Sequence, residues 1–253
     1  VRNNNTVFTS QYTVDVFKEA GVETSYVPLF FDKINFQTKD KKYFSDDRIV
    51  FNLCGKFEKR KHHGKILDAW SRKYGNNNKY VLQCALFNPF LSQEDNEKNI
   101  ADSLNSQRFS NIQVLHPMGK NSLYNDFLNS GNIIIGMSGG EGWGLPEFHS
   151  LGLGKHGVIM NAHSYKGFAN EKNSVLVEPN GMIDSDDGLF FQNGADFNQG
   201  QLFDFDIDDF IDGCEEAIKR VEKDRVNKEG LKIQEEFTVG ATLDALLEKM
   251  EVN

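Results

Sequence analysis

Cysteine is scarce in this chain of 253 residues: Cys54, Cys84 and Cys214 stand far apart, with no CxxC pair among them. That count and spacing disfavour a disulfide framework or a thiolate metal site. Cys54 and Cys84 lie inside apolar runs and read as buried free thiols, as expected in a reducing cytoplasm. No apolar run approaches the length of a membrane span, and no signal-peptide pattern opens the sequence. An excess of basic charge is also missing. Against 28 Lys and Arg stand 37 Asp and Glu, a formal net charge of -9, which argues against nucleic acid or an anionic membrane as the main partner. Peripheral membrane contact is not indicated either. Any anion site must be a local basic patch on an acidic body. No internal repeat is present.

What is there suits a folded core. Hydrophobic residues make up 39% of the chain, with 21 Phe among the aromatics, enough for one large domain or one domain plus part of another. Strand-like apolar runs alternate with helical patterns, the signature of a parallel α/β sheet. The expected strands are Arg48–Cys54, Lys79–Leu86, Asn111–His116, Asn132–Gly136, Gly157–Asn161 and Ser174–Glu178. Helices are expected over His63–Tyr74, Gln93–Ser106, Asn121–Asn129, Pro146–Leu153 and, briefly, Tyr165–Asn170. Runs of Val, Ile and Leu without alternation predict burial on both faces, hence a doubly wound, Rossmann-like sheet with ligands beyond its carboxyl ends.

The flanks read differently. Residues 1–47 predict a strand (Thr6–Thr9), a helix (Tyr12–Ala20), a strand (Thr24–Val27) and then a polar, basic linker from Lys33 to Asp47. The main domain is expected over 48–236, with Asp184–Asp206 as a polar surface excursion and helices over Ile207–Asp224 and Val226–Glu236. A last helix, Val239–Val252 within 237–253, is expected to pack back toward the N-terminal elements.

Two loops carry chemistry. Ile133-Ile134-Ile135 leads into Ser138-Gly139-Gly140-Glu141-Gly142-Trp143-Gly144-Leu145-Pro146 and then a helix. Strand, glycine-rich loop and a helix with Pro in its first turn is a layout that points backbone N–H groups at an anion. A carboxylate in a bare phosphate cradle would repel its ligand, so Glu141 suggests a ligand with both a diphosphate and a ring of hydroxyls: a nucleotide sugar. The second loop, Gly55-Lys56-Phe57-Glu58-Lys59-Arg60-Lys61-His62-His63, follows the first strand of the sheet. Alone it would be a solvated charge run. At a carboxyl end of the same sheet as the Glu141 loop, it reads as the cationic wall of the crevice.

Together these loops resemble the retaining, nucleotide-sugar-dependent glycosyltransferases of the GT-B fold, which have two facing Rossmann-like domains. Their donor domain carries a first-strand loop of the form G-R/K-x-E-x-R-K, matched by Gly55 to Lys61, and an E-G-[FW]-G-L-P loop, matched by Glu141 to Pro146. Phe8-Thr9-Ser10, Gly21-Val22 and Val27-Pro28 with Asp32 look like the passage from acceptor to donor domain. The resemblance implies that Lys56 and Lys61 bind the donor diphosphate and stabilise it as it leaves, while Glu141 faces the sugar hydroxyls. Gly55 and Arg60, of the same basic loop, would also contact the donor. Gly139, Gly140, Gly142 and Gly144 would bring backbone to the phosphate or sugar, and Leu145 and Pro146 shape the start of the helix. Lys56 stands where Arg is common, keeping charge without bidentate geometry. Where the family's E-x7-E motif ends in a ribose-binding Glu, this chain has His149, which either hydrogen-bonds ribose or is a partly buried helix histidine.

Other candidates are weaker. His116, at the end of a strand, is a place where the family often binds its base. Asn161-Ala162-His163 touches ligand or is merely solvated, and Trp143 packs its loop more readily than it stacks on substrate. Asp184-Ser185-Asp186 and Asp204-Phe205-Asp206 match D-x-D but read as surface acid, so neither metal nor cofactor is expected. Asn4-Asn5-Thr6 matches a glycosylation sequon with nothing to support secretion. The chain opens on Val1 and holds only the last elements of an acceptor domain, so it is read as a fragment, mostly the donor half, lacking the rest of its N-terminal acceptor domain. The acceptor (glycan, lipid or protein) and the donor base stay open. A non-catalytic nucleotide-sugar-binding module is the rival. A dinucleotide-binding domain is disfavoured because Cys54-Gly55-Lys56 opens no G-x-G-x-x-G turn.

Overall fold

A computed structural model describes residues 6–187, 191–192, 194–196 and 200–250. Asn4 and Asn5 of the sequon, and the last two residues of the expected Val239–Val252 helix, lie outside the described residues.

The N-terminal segment holds β1 (Val7–Phe8), α1 (Gln11–Glu19) and β2 (Ser25–Tyr26), with β1 and β2 paired in parallel. Ser10 caps α1 by accepting from Thr13 N at 3.2 Å. The main body follows as β3 (Ile49–Gly55), α2 (His63–Tyr74), β4 (Tyr80–Leu86), α3 (Gln93–Ser103), β5 (Ile112–Val114), α4 (Asn121–Ser130), β6 (Ile133–Gly136), α5 (Leu145–Gly152), β7 (His156–Met160) and β8 (Val175–Val177). All six strands are parallel, in the order β5-β4-β3-β6-β7-β8. This is the doubly wound arrangement expected from the unbroken apolar runs, and β6 and β7 are buried along their whole length. The order in which strands are added reverses between β3 and β6, the switch point where such sheets bind ligands.

Asn52 breaks the apolar run of β3, and its packing explains why it is tolerated. Its Nδ2 donates to Phe127 O at 2.8 Å, and its amide lies where a Cβ on Gly131 would sit, 2.4 Å away. α2, α3 and α6 (Ile207–Lys223) pack together on one face; α4 and α5, with the short α7 (Lys228–Leu231) and α8 (Ile233–Glu236), pack on the other. Gly213 lets α6 approach closely, since a Cβ there would lie 3.0 Å from Val177 and 3.2 Å from Val158.

Three segments differ from expectation. The polar stretch after Asp32 forms no helix or strand but is a strap fastened to α4. Gln37 exchanges hydrogen bonds with Asn125, and Lys39 N donates to Asn129 Oδ1 at 2.9 Å. Lys39 and Tyr43 both reach Asp126. The expected helix 226–236 is two short turns, because the Asn227 side chain caps Gly230 N and also bonds Asn173 O and Lys155 O. The polar excursion contains an antiparallel pair, β9 (Gly181–Asp184) with β10 (Gln201–Asp204). In the last helix, α9 (Val239–Met250), Thr242 Oγ1 donates to Pro28 O at 2.9 Å.

Candidate functional site

The basic loop leaves β3 through Gly55 at φ +133°, a conformation that side chains rarely adopt. It turns through a 3₁₀ segment, Lys59–Lys61, and His62 in the left-handed region at φ 54° before α2 begins. The Glu141 loop leaves β6 next door and ends at Gly144, φ +93°, which caps α5. Backbone joins the two loops. Gly139 N donates to Arg60 O at 2.7 Å, and the Ser138 hydroxyl donates to the same carbonyl at 3.2 Å. A Cβ on Gly139 would fall 2.4 Å from Phe203 O and 2.8 Å from His62 Nε2, so only glycine fits this crossing. The His62 ring, in turn, donates Nε2–H to Phe203 O at 2.8 Å, which binds β10 to both loops.

The side chains converge as well. Lys61, 7% exposed, forms an ion pair with Glu141. Arg60 reaches Glu141 Oε1 at 2.9 Å, Gly140 O at 2.8 Å and Glu58 at 2.6 Å. Burial alone would raise the Glu141 carboxyl, but Lys61 and Arg60 outweigh it and hold it below the ordinary carboxylate value. Lys56 stands 3.6 Å from Glu58 and 4.9 Å from the Phe90 ring centroid. Between the ends of β3, β4 and β5 opens a hollow of about 200 Å³, walled by Gly55, Leu86, Leu115, Met118, Tyr124 and Pro146. Gly55 is the shared wall, because a Cβ there would sit 3.6 Å from Lys61 Nζ. A larger hollow of about 600 Å³ lies between the basic loop and the β4–α3 turn. Neither hollow is lined by Lys61 or Glu141; the larger takes residues of the basic loop alone, whereas the smaller touches both loops, through Gly55 and Pro146, and is the better match to the loop chemistry.

The other expected residues fall in different places. His116 is exposed beyond the end of β5. Gly140 and Gly142 stay on the open side of the loop: a Cβ on Gly142 would meet nothing within 4 Å. Gly139's amide is already committed to Arg60, which removes it from the set of amides free for a ligand. Trp143, 4% exposed, is a core side chain among Phe148, Phe168 and Phe237, with centroids 5.4, 5.4 and 5.8 Å away. Leu145 is exposed at the start of α5. His149 faces away from the crevice: its ring stacks on Phe36 at 3.8 Å and meets Phe31 edge-on at 5.6 Å. Burial pushes its pKa down to about 4, so the neutral ring serves the strap–α5 contact.

Two residues of the site had weak signals in sequence. Glu147 points inward instead, fully buried against Gly136 and Gly144, whose added Cβ atoms would lie 2.5 Å from Glu147 Cγ and 3.1 Å from Oε2. Burial raises its pKa to about 7. Only glycine on the strand and in the loop makes room for it, a pairing that helical spacing alone does not reveal. His163 sits at φ 38° after β7 and donates Nε2–H to Ser138 O at 2.7 Å, bracing the Glu141 loop from behind. Burial lowers its pKa to about 4, keeping the donor ring neutral. From the N-terminal segment, Thr9 Oγ1 donates to Gly142 O at 3.2 Å, and α1 packs on the 3₁₀ turn His163–Gly167.

The D-x-D sequence Asp204-Phe205-Asp206 is structural. Asp204 accepts from Lys65 at 2.7 Å, and Asp206 caps α6 by accepting from Asp208 N at 2.8 Å. Among the described residues no group of three or more His, Cys, Asp or Glu comes together in a metal-holding cluster. Nor is any described helix long and apolar enough to cross a membrane.

No protein-family profile and no curated protein matches this sequence. Solved structures do match. A glycosyltransferase from Rickettsia africae superposes with a TM-score of 0.72 at 11% identity, over 99% of this chain and 64% of its own. Sucrose-phosphate synthase from Thermosynechococcus elongatus gives 0.69 at 15% identity, over 96% and 56%. Anabaena HepE, solved with UDP and glucose, gives 0.68 at 13% identity, over 98% and 63%. This chain therefore spans less than two thirds of each of these proteins. Its architecture is that of a Rossmann-like domain of the GT-B fold.

Proposed function

We propose that this chain is the donor-binding half of a glycosyltransferase that moves a sugar from a nucleotide-diphosphate donor to an acceptor with retention of configuration. The observation that carries the reading is the meeting of Lys61 and Glu141 at the switch point, beside the hollow at the ends of β3, β4 and β5. Solved neighbours with the same fold include HepE in complex with UDP-glucose. In this reading the base enters the hollow and the diphosphate crosses Gly55 to meet Lys61 and Lys56. The sugar then takes Glu141's carboxylate for its hydroxyls. Glu141 is already ionised and held by Lys61 and Arg60, so donor binding exchanges one partner of Lys61 for another without leaving a buried charge unpaired.

The chemistry asked of these groups is electrostatic. An oxocarbenium-like centre forms as the diphosphate leaves, and preorganised cations in a dehydrated cleft stabilise that charge. The departing phosphate takes the acceptor proton on the same face of the sugar, which needs no second catalytic carboxylate and no metal. Arg60 orders the two loops. Gly140, Gly142 and the start of α5 bring backbone toward phosphate and sugar, and His116 stands at the outer rim. Cytoplasmic glycan biosynthesis is the setting we propose, with a longer protein supplying the acceptor domain.

The test is Lys61→Ala. It should abolish donor hydrolysis or transfer, at about 2–4 kcal/mol of transition-state stabilisation, and leave the circular dichroism spectrum unchanged. Wild-type turnover by the folded variant would refute the assignment. A screen of UDP, GDP and ADP for thermal stabilisation identifies the base, since a ligand at 100 times its Kd adds about 2.7 kcal/mol.

A further inference from the structure

Packed against Gly144 of the Glu141 loop lies a second carboxyl group that the chemistry above does not use. Glu147 is on the first turn of α5, 2% exposed, and its Oε2 has no hydrogen-bond partner among the described residues. The titratable groups that face it come from every neighbouring element. Lys61 and Glu141 act on it from the two site loops and Tyr165 from the 3₁₀ turn after β7. Cys54 at the end of β3 and Tyr124 on α4 feel its charge in turn. Lys61 is the sole cation in that set and favours the ionised form of Glu147, whereas Glu141 and burial oppose it. The balance of this buried cluster therefore depends on what Lys61 is neutralising.

We infer that Glu147 is a positioning residue for the Lys61–Glu141 pair, and that a diphosphate binding at Lys61 is accompanied by proton uptake from solvent onto the Glu147 carboxyl. This rests on the donor site proposed above. A diphosphate brings negative charge to Lys61 and offsets the largest of the influences that favour ionised Glu147. The carboxyl then takes a proton from solvent, which offsets part of the negative charge the diphosphate brings, and Lys61 is left to the leaving group. The resting midpoint near pH 7 places this exchange in the physiological range. A rise of about one pH unit on binding would transfer roughly half a proton at pH 7.5, and would make affinity about tenfold tighter at pH 6 than at pH 9.

The experiment has two arms. In the first, UDP-glucose, whose diphosphate keeps a constant charge between pH 6 and 9, is titrated calorimetrically at pH 7.5 in buffers of different ionisation enthalpy. Wild type should take up about half a proton, and Glu147→Gln should bind with none. Equal uptake by both proteins, or none by wild type, overturns the inference. The second arm needs no ligand: carbon-13 NMR of Glu-labelled protein follows the Glu147 carboxyl, assigned by its loss in Glu147→Gln. A midpoint well above the ordinary value of about 4.3, moved upward by about one pH unit in Lys61→Met, supports the link. A normal midpoint, or one that ignores Lys61→Met, overturns it. Should UDP-glucose bind neither protein, that result counts against this donor, and the NMR arm still decides whether Glu147 answers to Lys61.

Discussion

Replacing Glu147 by Gln should make the protein more stable, and the gain should grow with pH. The folded carboxyl titrates at about 7 against an ordinary value of 4.5. Because the folded state binds this proton more tightly than the unfolded chain, unfolding releases it between those two values. Wild-type stability therefore falls as pH rises from about 4.5 to 7, and levels off above. The difference of 2.5 pH units, taken from those two values, corresponds to about 3 kcal/mol at 1.36 kcal/mol per unit. Gln keeps the volume against Gly136 and Gly144 and has no proton to lose. Urea unfolding of both proteins at pH 5 and pH 8 isolates the effect, because any constant cost of the amide cancels between the two conditions. The advantage of Gln should rise by about 2.5 kcal/mol from the lower to the higher pH. An advantage that stays flat within about 0.5 kcal/mol would mean that Glu147 reaches water or a hydrogen-bond donor, and would refute the reasoning.

His149→Phe should fold, since the replacement preserves the stack on Phe36, and should leave nucleotide affinity within about twofold; a loss of tenfold or more, about 1.4 kcal/mol, would put the ring on the ribose after all. The same variant should resist acid better than wild type, because the folded imidazole titrates near 4 and wild-type stability drains away as pH falls from about 6.5 toward that value. Gly139→Ala should cost about 1–3 kcal/mol by overpacking, read as a lower urea midpoint, because its methyl meets the Phe203 carbonyl at 2.4 Å; an unchanged midpoint would mean that the two loops can part freely. Asp206→Ala should lose about 1 kcal/mol of stability through its cap on α6, and chelation of divalent cations should leave donor turnover unchanged.

Much of this architecture was legible because its signals are local. The order of strands and helices follows from apolar runs such as Ile133-Ile134-Ile135, whose neighbours on both faces must be helices. The meeting of the basic loop with the Glu141 loop was expected from their common place after strands of one parallel sheet. What stayed hidden depends on contacts across the chain. Asn125 and Asn129 look like ordinary polar helix residues until the strap from 33 to 43 is laid on them. The β9–β10 pair has too little apolar content to announce itself, and is held by Phe203's backbone bonds to Gly139 and His62. The orientations of Glu147 and His149 differ because glycines at 136 and 144 open a pit for one, while Phe31 and Phe36 supply a surface for the other. Their spacing in α5 puts them on different faces, but it does not say which face meets the pit.

Arg60 has a consequence for how such a site can change over time. Its carbonyl anchors Gly139 while its guanidinium holds Gly140 and Glu141. One residue thus welds the cationic wall to the carbohydrate wall, so a shift in either is felt by both. New sugar preferences should arise from altered side chains on a stationary frame more easily than from loops of new length. An insertion beside Arg60 would disarm both walls at once.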